Sequence, residues 1–428
     1  MKHAISELVL ENGAKGLIIY IPDATVMTFE FNFRAGEYLV ERNKWETPHL
    51  MEHVLLGANE LYPTARSFQA ELEKNGAYAN ASTGSYDITY EAECADMEWD
   101  RVMSLVMSAI TKPLFLEEEF TAEVGNVREE LFARSNNHFR HLNLALREKY
   151  GFKVMTDQER LKLIDNVTRK DVREHYKKTH TSDNMRFVIA GNVTPLRQET
   201  IVKMIETIDL PKGKGRLPLP KEVPKSLRKA LYIEVPSVEN LYFYIDGFIK
   251  RHLMDHEADA LNLVNIIYTE TLHSRIFGAA REKGLVYGMS TNYSRLIDSS
   301  NFWIGAQVMP KNFVKLLDIV TKEINRTKDG RVSANDLEAA KLFALGRYQR
   351  SAQTVSGTAS LYSNRYFYDE VIEDYYEVPN RIKAVTKDGI IDTVNAIFKA
   401  GIKGFGVLGS CGDNYTQDRY AQIKDLWE

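Results

Sequence analysis

Cysteine is almost missing from this sequence: Cys94 and Cys411 are its only two, in opposite halves of 428 residues. They support neither a disulfide framework nor a cysteine-rich zinc site, so a cytoplasmic home is expected and any bound metal must take its ligands from His, Asp and Glu. Long apolar runs are missing as well. Nothing approaches the roughly 18 consecutive apolar residues that cross a bilayer, so no membrane insertion is expected. The amino terminus is interrupted by Glu and Lys, and it has the pattern of two short strands around an Asn12-Gly13 turn, not that of a signal peptide. Charge of one sign is not in excess: 55 Lys and Arg stand against 59 Asp and Glu, a net −4, and no basic block could follow a phosphate backbone. Nucleic acid is therefore not an expected partner.

What is present is the composition of a soluble globular protein, 44% hydrophobic and 27% charged, in a chain too long for one ordinary core. Two domains are expected. The best linker is 211–229, where Pro211, Pro218, Pro220 and Pro224 fall among Lys, Arg and Gly, separating 1–210 from 230–428. The order of segments repeats on either side of it. Val167-Thr168 opens a helix followed by a strand ending near Gly191, and Val385-Thr386 opens another followed by a strand ending near Gly409; the interval is 24 positions in both halves. Paired amphipathic helices at 98–112 and 116–135 have counterparts at 312–327 and 333–350, each pair preceded by an alternating strand, 87–93 or 301–308. The expected fold is α+β: two structurally similar domains, each a mainly antiparallel β-sheet flanked by α-helices.

The chemistry concentrates in His49-Leu50-Met51-Glu52-His53. On a helix, imidazoles four residues apart project from one face, one turn apart, at a separation that a single zinc ion bridges, and Glu52 lies beside them. Thr47 is expected as the N-cap and Pro48 as the first helical residue. Catalytic zinc takes three protein ligands and keeps one position open, so a third ligand must come from elsewhere. A second acidic helix offers Glu123 and Glu130, seven residues and two turns apart on one face, with Glu130 able to ligate and Glu123 to support. Two neutral imidazoles and one carboxylate would leave Zn2+ net positive, able to acidify a water and polarise a carbonyl while Glu52 moves the proton. Taken alone, the pentapeptide is equally compatible with an amphipathic helix carrying surface imidazoles. His252-Leu253-Met254-Asp255-His256 repeats the spacing with Asp for Glu and is read as incidental, since no matching downstream carboxylate follows. The second half is expected to be metal-free.

Together these residues resemble the pitrilysin and insulinase family of inverted-motif zinc peptidases, in particular its short two-domain bacterial and mitochondrial-processing-peptidase-like members. The resemblance rests on the pentapeptide, on Glu130 within Val127-Arg128-Glu129-Glu130-Leu131, on Asn80-Ala81-Ser82-Thr83 and on the duplicated architecture. It implies that His49, His53 and Glu130 bind one Zn2+ per subunit, with Glu129 the rival third ligand, that Glu52 activates water and that Glu123 is the supporting carboxylate. It implies too that Asn80 and Ala81 belong to an edge strand to which an extended peptide adds by main-chain hydrogen bonds. Arg281 and Tyr287 match the family's Arg/Tyr pair, which contacts substrate and the reaction's oxyanion, within one subunit or across a dimer. Two departures are visible: the Arg281 to Tyr287 loop is one residue shorter than usual, and Trp45-Glu46-Thr47-Pro48 replaces a small, glycine-containing lead-in. The expected function is zinc-dependent endopeptidase action on unfolded peptides in a chamber closed by two subunits of a homodimer. The alternative is a non-catalytic scaffold or partner subunit of the same fold.

Overall fold

Strand β3 (Val26–Phe33) shows how the sheets form: Met27, Phe29, Phe31 and Phe33 enter an apolar core, while Thr28, Glu30 and Asn32 point to the opposite face. The computed structural model describes residues 1–428. It groups them into two units that are not contiguous in sequence. The first comprises Met1–Ala133, Gln158–Pro220 and Gln349–Asp374; the second comprises Arg134–Asp157, Lys221–Tyr348 and Tyr375–Glu428.

The first unit's sheet contains β1 (Ala4–Val9), β2 (Lys15–Tyr20), β3, β4 (Tyr78–Thr83), β5 (Ile88–Ala95) and β6 (Met185–Gly191), in the order β1-β2-β6-β3-β5-β4. The amino-terminal hairpin forms as expected, turning at Gly13 with φ +91°. The second unit's sheet contains β7 (Leu231–Glu234), β8 (Leu241–Ile249), β9 (Met289–Arg295), β10 (Ser300–Val308) and β11 (Ile402–Gly409), in the order β7-β11-β8-β10-β9. Without β1 the two orders are the same, and so are the pairings: β2 with β6 and β7 with β11 are parallel, and every other pair is antiparallel. The chain is thus α+β, with helices flanking both sheets.

The 24-residue echo has a physical origin. Thr168 and Thr386 both cap a helix, accepting from the amides of Asp171 and Gly389. Both helices lead to a strand that ends in a glycine of positive φ, Gly191 at +145° and Gly409 at +151°. A Cβ at Gly191 would lie 2.9 Å from the Val26 carbonyl oxygen, and one at Gly409 the same distance from that of Asn240, so in each half the neighbouring strand approaches too closely for any side chain.

Each sheet is covered on its second face as well. In the first unit the helix Val355–Asp369 packs on β3 and β6. In the second, Leu142, Leu146 and Tyr150 of the helix His138–Tyr150 pack against Tyr244, Phe248 and Leu408. These covering helices are why each unit recruits a distant segment. Burial on both faces also explains why β6 is buried at every residue instead of alternating. Part of the expected linker is fixed in place: Pro211 and Lys212 accept from the amides of Ser182 and Asp183, and Arg216 is buried against Asn32 and the Phe367 carbonyl. No helix is long and apolar enough to cross a membrane.

Candidate metal centre

The helix Thr47–Leu55 buries Leu50, Met51, Val54 and Leu55 in the first core, which turns His49 and His53 together towards a neighbouring helix. It starts one residue earlier than expected: Glu46 is the N-cap residue, Thr47 is the first helical residue and Pro48 follows it. The Thr47 hydroxyl finds no partner, and the Glu46 carboxylate does not cap the helix either. It is engaged elsewhere, which corrects the expected cap.

The neighbouring helix, Glu117–Ser135, anchors itself through Phe120, Val127 and Leu131 and presents Glu123 and Glu130 on the adjoining face. Glu130 Oε2 lies 3.1 Å from His49 Nε2 and 3.6 Å from His53 Nε2. One ligand atom from each of His49, His53 and Glu130 falls within 4.8 Å of the others. Glu129 is exposed and outside this group. Glu119, on the same helix, accepts from the amides of Ala58 and Ala65 and so holds the segment that follows the histidine helix.

The outer nitrogens of the rings decide how the inner ones point. His53 Nδ1 lies 2.8 Å from Glu123 Oε2, which also accepts from Asn126. His49 Nδ1 lies 3.0 Å from Glu46 Oε2, and Arg160 donates to both oxygens of Glu46 at 2.5 and 2.9 Å. Each imidazole is therefore gripped by a carboxylate on one nitrogen and offers the other to a common point, the arrangement in which histidine ligands are oriented and made more basic. Glu123 was legible from its spacing. Glu46 is less legible, although its place three residues before His49, at the helix start, is a usable signal; Arg160 has no such signal.

Burial alone would lower both histidines, but the hydrogen bonds outweigh it. Glu123 and Glu130 raise His53 to about 9, and Glu130 and Glu46 raise His49 above its ordinary value. Burial likewise opposes ionisation of Glu46, yet its bonds to His49 and Arg160 bring it down to about 2. Three carboxylates around two imidazoles attract positive charge, as protons or as a divalent ion, and the ion must displace the protons. A His2Glu donor set with oriented rings fits zinc, and His49, His53 and Glu130 would hold it with one position left open.

Glu52 faces the strand β4. Its carboxylate accepts from the Thr83 hydroxyl at 2.6 Å. β4 is the last strand of its sheet, paired with β5 on one side only, and it carries exposed Asn80 and buried Ala81 opposite Glu91 and Tyr90. In the second unit, Arg281 donates to the Tyr287 carbonyl at 2.6 Å and its guanidinium stands 5.0 Å from that ring, while Tyr287 as a residue is 88% exposed. Both residues line a cavity of about 660 Å3 with Leu285, Gln307, Met309 and Asn312. His252 and His256 do not share a helix, because the helix Asp255–Asn265 starts between them and His252 instead meets the Leu296 carbonyl. The expectation that this spacing is incidental agrees with the geometry.

Residues 39–157 match the family model described as insulinase (peptidase family M16), and residues 166–342 match that of the peptidase M16 inactive domain. The two stretches make up well over half of the chain. It belongs to the insulinase family, peptidase family M16. Among curated members of M16, the insulin-degrading enzyme of Drosophila melanogaster is 27% identical over 123 residues, 29% of this chain and 12% of that protein. The A-factor-processing enzyme of Saccharomyces cerevisiae is 25% identical over 121 residues, 28% of this chain and 12% of that protein. The match thus spans only about an eighth of these relatives' length. Solved M16-like folds correspond over nearly the whole chain. A protease from Helicobacter pylori superposes with TM-score 0.84 at 16% identity, covering 95% of this chain and 100% of that one. A peptidase M16 inactive domain from Pseudomonas fluorescens gives 0.81 at 16% identity, covering 95% and 98%. At such identity the likeness is one of fold.

Proposed function

We propose that this M16 chain is a zinc-dependent endopeptidase acting on extended, unfolded peptide, with one zinc per subunit and two subunits of a homodimer closing a chamber around the substrate. The observation that carries this reading is the convergence of His49 Nε2, His53 Nε2 and Glu130 Oε2, with each ring's other nitrogen held by Glu46 or Glu123. When bound, zinc supplies Lewis acidity to a water and to the scissile carbonyl oxygen. Glu52 takes the proton of the attacking water on its carboxylate and returns it to the leaving amine. The unpaired edge of β4, through the main chain at Asn80 and Ala81, aligns the peptide as an added strand. Arg281 and Tyr287 donate to the oxygen on which negative charge develops, an interaction of the kind that contributes about 10²- to 10³-fold in rate per donor.

The second reading, a scaffold or partner subunit without activity, is favoured by the match of residues 166–342 to an inactive-domain model. That stretch contains none of the three proposed ligands, whereas the family match over 39–157 contains them all. Internally quenched peptides of varied length, incubated with the protein with and without a chelator, separate the readings. Chelator-sensitive cleavage restored by zinc is expected. No turnover of any peptide by the zinc-loaded protein would leave the scaffold.

A further inference from the structure

The general base and the substrate strand touch at one point. Thr83 closes β4, and its hydroxyl, 2.6 Å from Glu52 Oε2, makes the only hydrogen bond that the Glu52 side chain accepts. That distance is in the usual range for a hydroxyl donating to a carboxylate, a charge-assisted bond. The donor is itself held firmly. Thr83 is in register with Ile88 of β5, and the turn that follows is closed by the Gly84 amide on the Asp87 carbonyl at 2.8 Å. Asp87 Oδ2 in turn accepts from Asn32 of β3 at 2.6 Å. A threonine hydroxyl fixed by a sheet can hold one oxygen of a partly exposed glutamate, leaving the other free to accept a proton. Glu52 needs such a restraint. The two histidines of its helix have carboxylates on their outer nitrogens, but Glu52 is partly exposed and has no other partner to choose its rotamer.

We propose that Thr83 is a positioning residue for Glu52, tying the orientation of the base to the end of the strand that receives the peptide. The inference rests on the endopeptidase reading. An added strand that pairs along β4 brings its main chain towards Thr83, so the residue that ends the pairing edge is also the one that aims the carboxylate. Its hydroxyl acts on Glu52, not on the substrate or the metal ligands, and its loss should therefore appear in turnover and not in peptide affinity or zinc content.

The test compares Thr83→Val, which keeps the shape and removes the donor, with Thr83→Ser, which keeps the donor. For zinc-loaded protein and a quenched peptide, kcat of T83V should fall about 10- to 100-fold, the scale of a misaimed catalytic group. KM should stay within about twofold, as for a residue acting on the chemical step. Zinc content and Tm should match wild type, and T83S should recover most of kcat. Crystal structures supply a readout independent of activity: the Glu52 carboxylate should accept from residue 83 in wild type and T83S and turn away in T83V. A valine variant with wild-type kcat, a serine variant as slow as valine, or a carboxylate unmoved in T83V overturns the inference while leaving the peptidase reading intact. A wild-type protein inert on every peptide removes that reading and this one with it.

Discussion

The two sheets of this protein repeat one strand order and one set of pairings, yet the histidine cluster stands beside only the first. In the first unit the helix between β3 and β4 carries two imidazoles a turn apart, and a distant acidic helix closes the triangle. In the second, the helix between β8 and β9 begins after His252, and its early glutamate, Glu257, is turned back to Arg251 and the Met254 amide. The same scaffold thus carries a cluster of two histidines and a glutamate or a closed helix start, depending on a handful of side chains. Fold and function are separable here.

The comparison breaks most visibly at the base. Glu52→Gln should lower peptide turnover about 10³-fold, in the range of general-base catalysis, while retaining zinc. His256→Ala, at the decoy, should leave turnover unchanged in the same assay.

Acid sharpens the contrast between the units. His175 of the first unit is buried and hydrogen-bonded to the Ala35 carbonyl, and burial pushes it down to about 4. Its folded value lies below its unfolded one, so the stability it contributes is present above about pH 6.5 and is lost as pH falls towards 4. The total is about 3 kcal/mol. Asp246 of the second unit has the opposite sign: burial raises it to about 6, so its cost is felt above that pH and relieved below it. Denaturant titrations from pH 7 to 4 should show His175→Gln losing less stability than wild type, and Asp246→Asn gaining less.

Among the supports of the cluster, Glu46→Gln and Glu123→Gln should each weaken zinc about 10- to 100-fold, as loss of a carboxylate behind a ligating imidazole does. Competition against a chromophoric chelator reads this directly. Equal affinity in both variants and wild type would deny the two glutamates any part in orienting the rings. The smallest effects belong to the repeat itself. Thr168→Ala and Thr386→Ala remove equivalent caps and should each cost about 1 kcal/mol of stability. A large difference between them would mean that the shared geometry hides unequal packing.

Much of this arrangement is legible in the sequence alone. Alternation gave β5 and β10, and the 24-residue echo marked equivalent helix caps and strand ends. Spacing of four and seven residues placed His49 with His53 and Glu123 with Glu130 on single helix faces, because helical periodicity is local. What could not be read depends on contacts between distant segments. Arg160 reaches Glu46 across 114 positions, and Thr83 reaches Glu52 only because β4 folds beside the helix. The cap at Glu46 was missed for a related reason: Thr47 is the better capping residue by type, but the packing of Glu46 between His49 and Arg160 moves the helix start back by one. The helices Val355–Asp369 and His138–Tyr150 show no spacing signal for the sheets they cover. Their assignment is decided by which face each leaves to bury.

Whether two rings and one remote carboxylate hold a metal is read from zinc content. After zinc loading and exhaustive dialysis, elemental analysis should find about one zinc per chain in wild type, the stoichiometry of a single three-ligand site, and essentially none in Glu130→Gln. Wild-type protein that retains no zinc, or a Glu130→Gln variant that retains as much as wild type, would contradict it.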